Sequence, residues 1–97
     1  MKIYTLSRRQ YNIISGICYA AADLHYIAEK YGVHDPEFKA AEKNLDLWMD
    51  EATYISAPAA LVNHALAYAE NWRRYSGGQS FDEWIKNERS AAIRVAV

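Results

Sequence analysis

Four helical segments in one small all-α domain are what this sequence predicts, on three observations. Apolar residues recur at steps of three and four along most of the chain. Serine or aspartate caps precede the runs, and glycine or proline closes them. The expected helices cover about residues 8–31, 36–55, 58–76 and 81–92, packed as a compact four-helix, bundle-like domain over residues 1–97.

The first helix opens on Ser7 and Gln10, a capping box in which the serine hydroxyl takes an orphan N–H and the glutamine reaches back. Ile13, Ile14, Ile17, Ala20, Ala21, Leu24, Ile27 and Ala28 then form one apolar side, and Gly32 suits the left-handed residue after the end. Gly16 lies inside this helix at a cost of up to about 1 kcal/mol relative to alanine, which points to a close helix crossing or a kink. The second helix starts at Asp35-Pro36-Glu37, where a cap, a pre-set φ and a charge suited to the helix dipole coincide. Its seam is Phe38, Ala41, Leu45, Trp48, Ala52 and Ile55, broadened by Met49. The spacing runs on through Ala59, Val62, Leu66 and Ala69 like a long coiled coil, but Pro58 forbids an unbroken helix and predicts a corner.

The third helix is expected to bury Leu61, Val62, Ala65, Leu66, Ala69 and Trp72, and to stop at the Ser76-Gly77-Gly78 joint. Ser80 and Glu83 form a second capping box, after which Trp84, Ile85 and Ala92 face inward. The tail Ile93-Arg94-Val95 and the stretch around Ile3 and Thr5 have strand-like alternation instead. A short two-stranded ribbon between the termini is thus the alternative to a longer fourth helix, although a lone ribbon is marginal in water.

Composition narrows the function classes. At 97 residues, 52% hydrophobic and 24% charged, the chain is expected to be a single globular domain. A formal net charge of −1 gives no global field for nucleic acid or anionic membrane, so no direct nucleic-acid or membrane partner is expected. Cys18 is the single cysteine, which excludes an internal disulfide; with no membrane-length apolar run and no secretory leader pattern, a cytoplasmic location is expected.

Motifs for chemistry are sparse. His25, His34 and His64 sit in different segments without metal-ligand spacing, so neither a metal nor a cofactor is expected. Cys18 lies mid-helix at the edge of the apolar face and would act as a nucleophile only beside a base. Gly77-Gly78 has no lysine and no preceding strand, unlike a phosphate-binding loop. Arg8-Arg9 and Arg73-Arg74 are isolated basic pairs without a recognition helix, and no catalytic residue is assigned.

Contact surfaces are better marked. Eight tyrosines and three tryptophans exceed what a minimal bundle requires, and such residues bury large area while keeping a polar handle. At 100° per residue, Tyr11, Ser15, Cys18, Tyr19, Ala22 and Tyr26 gather opposite the aliphatic side of the first helix, with no charge among them. Such a stripe serves either as a docking face or as the second flank of a central helix. Leu47 and Tyr54 lie opposite the seam of the second helix. Between Asp35 and Glu51 that helix carries six carboxylates against two lysines, a local charge of −4, with Glu42, Asp46 and Asp50 as consecutive i,i+4 neighbours. That array reads either as a solvated face or as an acidic ridge suited to a basic groove.

These features predict a non-enzymatic protein–protein interaction module, an inhibitor or adaptor that occludes a site on a larger protein or nucleoprotein complex. The expected contact residues are Tyr11, Tyr19, Tyr26, Glu42, Asp46, Leu47, Asp50 and Tyr54. In size, aromatic density and its one acidic helix, the chain resembles small accessory proteins of phages and mobile elements, of which anti-CRISPR inhibitors are an example. The expected partner is a protein, with a nucleic-acid-binding host complex as the candidate whose basic groove the acidic ridge would enter, and the chain is expected to be monomeric or homodimeric. The alternatives are a self-associating assembly subunit and, lower, a metal-binding or enzymatic helical protein built on His25 and His64.

Overall fold

A computed structural model describes residues 1–71 and 79–96. The order is β1 (Lys2–Leu6), α1 (Arg8–Tyr31), α2 (Pro36–Tyr54), α3 (Ala59–Asn71), α4 (Phe81–Arg89) and β2 (Ala91–Val95). The chain is thus mostly helical, in a compact body 18 Å across its thinnest dimension. The expectations placed on Trp72, Arg73-Arg74, the Ser76-Gly77-Gly78 joint and the end of the third helix at residue 76 lie outside the described residues.

The ends of α1 form as their chemistry dictates. The Ser7 hydroxyl accepts from the Gln10 N–H, and the Gln10 side chain accepts from the Ser7 N–H at 2.9 Å. The Gln10 amide also donates to the Ile55 carbonyl at 3.1 Å, so one residue caps α1 and ties it to the end of α2. Gly32 adopts φ +89° after the last turn, where its N–H donates to the Ala28 carbonyl. The Asp35 carboxylate caps α2, with Pro36 in its first turn. The Ala57 N–H reaches back to the Ala52 carbonyl while Ser56 turns through φ +56°, and α3 begins just past Pro58. The corner therefore falls where the proline predicts it.

The fourth helix departs from expectation. It ends at Arg89, not at residue 92, because Ser90 takes a left-handed conformation and closes it. Ala92 accordingly belongs to a strand and not to an inward helical face. Residues 91–95 pair with residues 2–6 in a parallel two-stranded sheet, Tyr4 opposite Ile93 and Leu6 opposite Val95. Parallel pairing requires a long crossover between its strands, and here the four described helices lie within it. The ribbon marginal by itself is held by packing: Leu6 and Ala91 are buried, and Tyr4 and Ile93 rest on the same core. Ser80 caps α4 through the Glu83 N–H, the serine half of the predicted box.

α1 is the hub. α2 and α3 both pack chiefly on it, whereas α4 packs on β2 and on α3. Ile14, Ile17, Leu61, Ile85, Leu6 and Trp84 are the largest fully buried side chains, drawn from three helices and a strand. Tyr68, Phe81 and Trp84 close one end of this core as an aromatic cluster, with edge-on centroid distances of 5.5 and 5.6 Å about Tyr68. Gly16 faces the Trp48 indole, and a Cβ there would come within 2.7 Å of the ring. The interior glycine therefore marks a close crossing between α1 and α2.

Candidate functional site

With α2 on one flank of α1 and α3 on the other, the tyrosine stripe is only partly covered. Cys18 is buried, Tyr11, Ser15 and Ala22 are half-buried, and Tyr19 and Tyr26 remain exposed, Tyr19 at 78%. The second-flank reading of the stripe thus holds for the inner residues, while the outer ones stay uncovered. Its inner members are core, and its outer members form one wall of a groove of about 600 Å³. Tyr68 of α3 and the segment Gln79-Ser80-Phe81-Asp82 at the start of α4 form the other wall. A groove of this size and largely apolar lining suits a ligand or several partner side chains.

The far wall is fixed by named contacts. The Tyr68 hydroxyl donates to the Gln79 carbonyl at 2.6 Å, holding the entry to α4 against α3. The Tyr11 hydroxyl lies 3.3 Å from one Asp82 carboxylate oxygen and 3.4 Å from the other, spanning the groove at one end. Burial raises the Tyr11 phenol above its ordinary pKa, and the Asp82 charge adds to the effect. Tyr68 is raised chiefly by burial as well. At the other end Lys30 donates to the Tyr26 hydroxyl at 3.2 Å and sits over the Tyr26 and Tyr31 rings.

The floor is inert. Burial, with the Asp82 charge behind it, pushes the Cys18 thiol up to about 12, so it is protonated at neutral pH. Thiol reagents are expected to label native protein on the order of a thousandfold more slowly than a free cysteine at pH 8. Rapid labelling of the folded chain would contradict this floor. Among the described lining residues there is no histidine or lysine to act as a base. No group of three or more potential metal ligands occurs among the described residues, and His25 and His34 are exposed. His64 is half-buried, and burial, then the Arg89 charge, lowers its pKa.

The remaining sequence-predicted contact residues lie elsewhere. Glu42, Asp46, Asp50, Leu47 and Tyr54 are all exposed on α2, and none lines the groove beside Tyr11, Tyr19 and Tyr26. No salt bridge joins Glu42, Asp46 or Asp50 to another described residue; the single described bridge, Arg9 to Glu51 at 3.4 Å, is surface-exposed. A second, shallower groove between α1 and α2 is lined by Ser15, Tyr19, Asp23, Asn44 and Trp48, so Tyr19 borders both. Five groove residues are not singled out from the sequence: Asp23, Tyr68, Gln79, Phe81 and Asp82. Tyr68 follows Leu61 by seven and Ala65 by three, a spacing that places it on the buried side of α3. The meeting of Asp82 with Tyr11 is a tertiary event with no local signal.

Fold and site together define a small helical domain bearing an aromatic groove whose described lining residues include no histidine or lysine. Comparison with known families, curated proteins and solved structures gives no match. No described helix is long and apolar enough to cross a membrane.

Proposed function

We propose that the chain is a non-enzymatic protein-binding module, an inhibitor or adaptor that docks on a larger partner through the Tyr11–Tyr19–Tyr26 face of α1. The observation that carries this reading is the groove itself. An exposed aromatic wall faces a second aromatic wall across a protonated, unreactive floor. Exposed tyrosines beside a desolvated pocket are the usual anchors of protein interfaces. Leu47 and Tyr54, at 58% and 80% exposed, offer a separate apolar face on α2. Glu42, Asp46 and Asp50 supply an exposed acidic ridge suited to steering a basic partner, such as a host nucleic-acid-binding complex.

Replacing Tyr19 and Tyr26 together by alanine is expected to leave the helical circular dichroism intact while weakening partner capture by at least about thirtyfold, the effect of losing one strong anchor. Retained capture would remove the groove from the interface; loss of helicity would show the tyrosines to be structural. Reversing Glu42, Asp46 and Asp50 to lysine is expected to slow association most at low salt. An on-rate indifferent to both substitution and salt would leave the ridge a solvated face.

One observation favours a second reading, self-association. The Lys2 N–H donates to the Ser90 carbonyl and the Leu6 carbonyl accepts from the Ala96 N–H, so alternation directs the peptide groups of Ile3 and Thr5 away from β2. Ile3 is also 57% exposed. An open edge of this kind is a template for a strand from a second copy. Light scattering that gives a monomer mass at every concentration overturns this reading.

A further inference from the structure

The groove's chemistry specifies more than apolar contact, and the ligand class it selects rests on the groove being the docking face. Five aromatic rings line it, and the charged side chains among its described lining residues, Asp23 and Asp82, are both acidic. Arg8, three residues before Tyr11, is outside that lining. A phosphate or carboxylate ligand would therefore meet two like charges, and the described cation at the Tyr26 end of the groove, Lys30, is already engaged with Tyr26 and Tyr31. A cation would meet carboxylates together with the electron-rich faces of tyrosines, which attract ammonium and guanidinium groups within about 6 Å of the ring centroid.

The molecule already makes this contact with its own residues. The Lys30 ammonium lies 5.5 Å from the Tyr26 centroid and 5.2 Å from that of Tyr31. The Arg89 guanidinium lies 4.9 Å from the Trp84 ring, next to the aromatic cluster that backs the groove. Tyr26 thus takes a cation at one end of the stripe, while Asp82 and Tyr11 stand at the other.

We propose that the groove recognises an arginine-bearing segment of a protein partner. Its guanidinium would sit between Asp82 or Asp23 and the tyrosine faces, with flanking apolar side chains laid over the Cys18 floor. Arginine is favoured over lysine because its planar head both stacks on rings and pairs with a carboxylate.

The test uses the full chain and two synthetic peptides, acetyl-Leu-Arg-Leu-Arg-amide and its counterpart with citrulline in place of arginine. Citrulline has nearly the same shape without the charge. In an NMR titration the arginine peptide is expected to shift the ring signals of Tyr11, Tyr19, Tyr26 and Tyr68. The citrulline peptide should bind at least tenfold more weakly. Asp82→Asn, which keeps an acceptor for the Tyr11 hydroxyl, should lower the affinity for the arginine peptide severalfold, and Asp23→Asn should add to that loss. Equal binding of the two peptides would overturn the cation assignment while leaving an apolar docking groove. Shifts confined to Glu42, Asp46 and Asp50 would overturn it by placing the cation on α2. Stronger perturbation of the tyrosine rings by a single-stranded oligonucleotide would overturn it in favour of a nucleic-acid ligand. Failure of both peptides to perturb the rings, in a protein whose partner capture still depends on Tyr19 and Tyr26, would refute this inference and spare the reading beneath it.

Discussion

Trp84→Ala is expected to cost about 3–5 kcal/mol of folding stability, the range for deleting a large buried aromatic. Trp84 is 1% exposed and belongs to the same core as Leu6 and Ala91 of the sheet and Tyr68 of α3. Its ring packs edge-on against Tyr68 at 5.6 Å and is stacked on Phe81 at 6.4 Å. Domains of this size have total stabilities of about 5–15 kcal/mol, so the loss is a large fraction of the whole. At about 4–8 °C per kcal/mol it would lower the melting temperature by tens of degrees. The groove should suffer too, because Tyr68 and Phe81 are both lining residues held by that indole. A thermal melt and a urea titration check the prediction. A loss under 1 kcal/mol would mean that the cluster is not the keystone joining α3, α4 and the sheet.

The second large effect is at the α1–α2 crossing, where the sign of a mutation should depend on its neighbour. Gly16→Ala relieves the helix-propensity penalty of glycine by about 1 kcal/mol. Against that gain, the added Cβ would stand 2.7 Å from the Trp48 ring and force it aside. Overpacking of this kind costs about 1–3 kcal/mol, so the net change is expected to be destabilising. In a Trp48→Ala background the obstruction is gone, and Gly16→Ala should then stabilise by about 1 kcal/mol. The difference between the two backgrounds is a coupling energy measurable by a double-mutant cycle. Equal effects of Gly16→Ala with and without Trp48 would show that the ring yields freely and that the close approach is incidental.

Much of the fold is legible in the sequence because it is written in local chemistry. Ser7 with Gln10, Asp35 with Pro36, Gly32, Pro58 and Ser80 each act within a few residues of themselves, and each marks an element boundary close to where the chain has one. The end of α4 is harder. Ser90 turns left-handed although serine has no strong preference for that conformation, and the reason is the strand that follows. Residues 91–95 gain a ladder with residues 2–6, nearly the whole length of the chain away, and burial of Leu6 and Ala91 stabilises it. No window of sequence contains that contact.

The site shows the same division. Helical periodicity gathers Tyr11, Tyr19 and Tyr26 on one side of α1, but it cannot say which of them a neighbouring helix covers. Packing decides it: Cys18 goes into the core, Tyr19 stays out, and the start of α4 supplies the facing wall. Tyr68 is recoverable from its spacing on α3, whereas Asp82 is not, since its partner Tyr11 lies 71 positions away. The acidic residues Glu42, Asp46 and Asp50 of α2 are visible in both sequence and structure as an exposed array.

The proposed function requires that a partner seat on the α1 groove. Site-specific photo-crosslinking tests it most directly, with a benzophenone amino acid placed at Tyr19 or Tyr26 and, as control, at Asn63, an exposed α3 position that lines neither groove. A covalent adduct with the captured partner is expected from positions 19 and 26, and none from position 63. Adducts from position 63 alone, in a protein that still captures its partner, would contradict it.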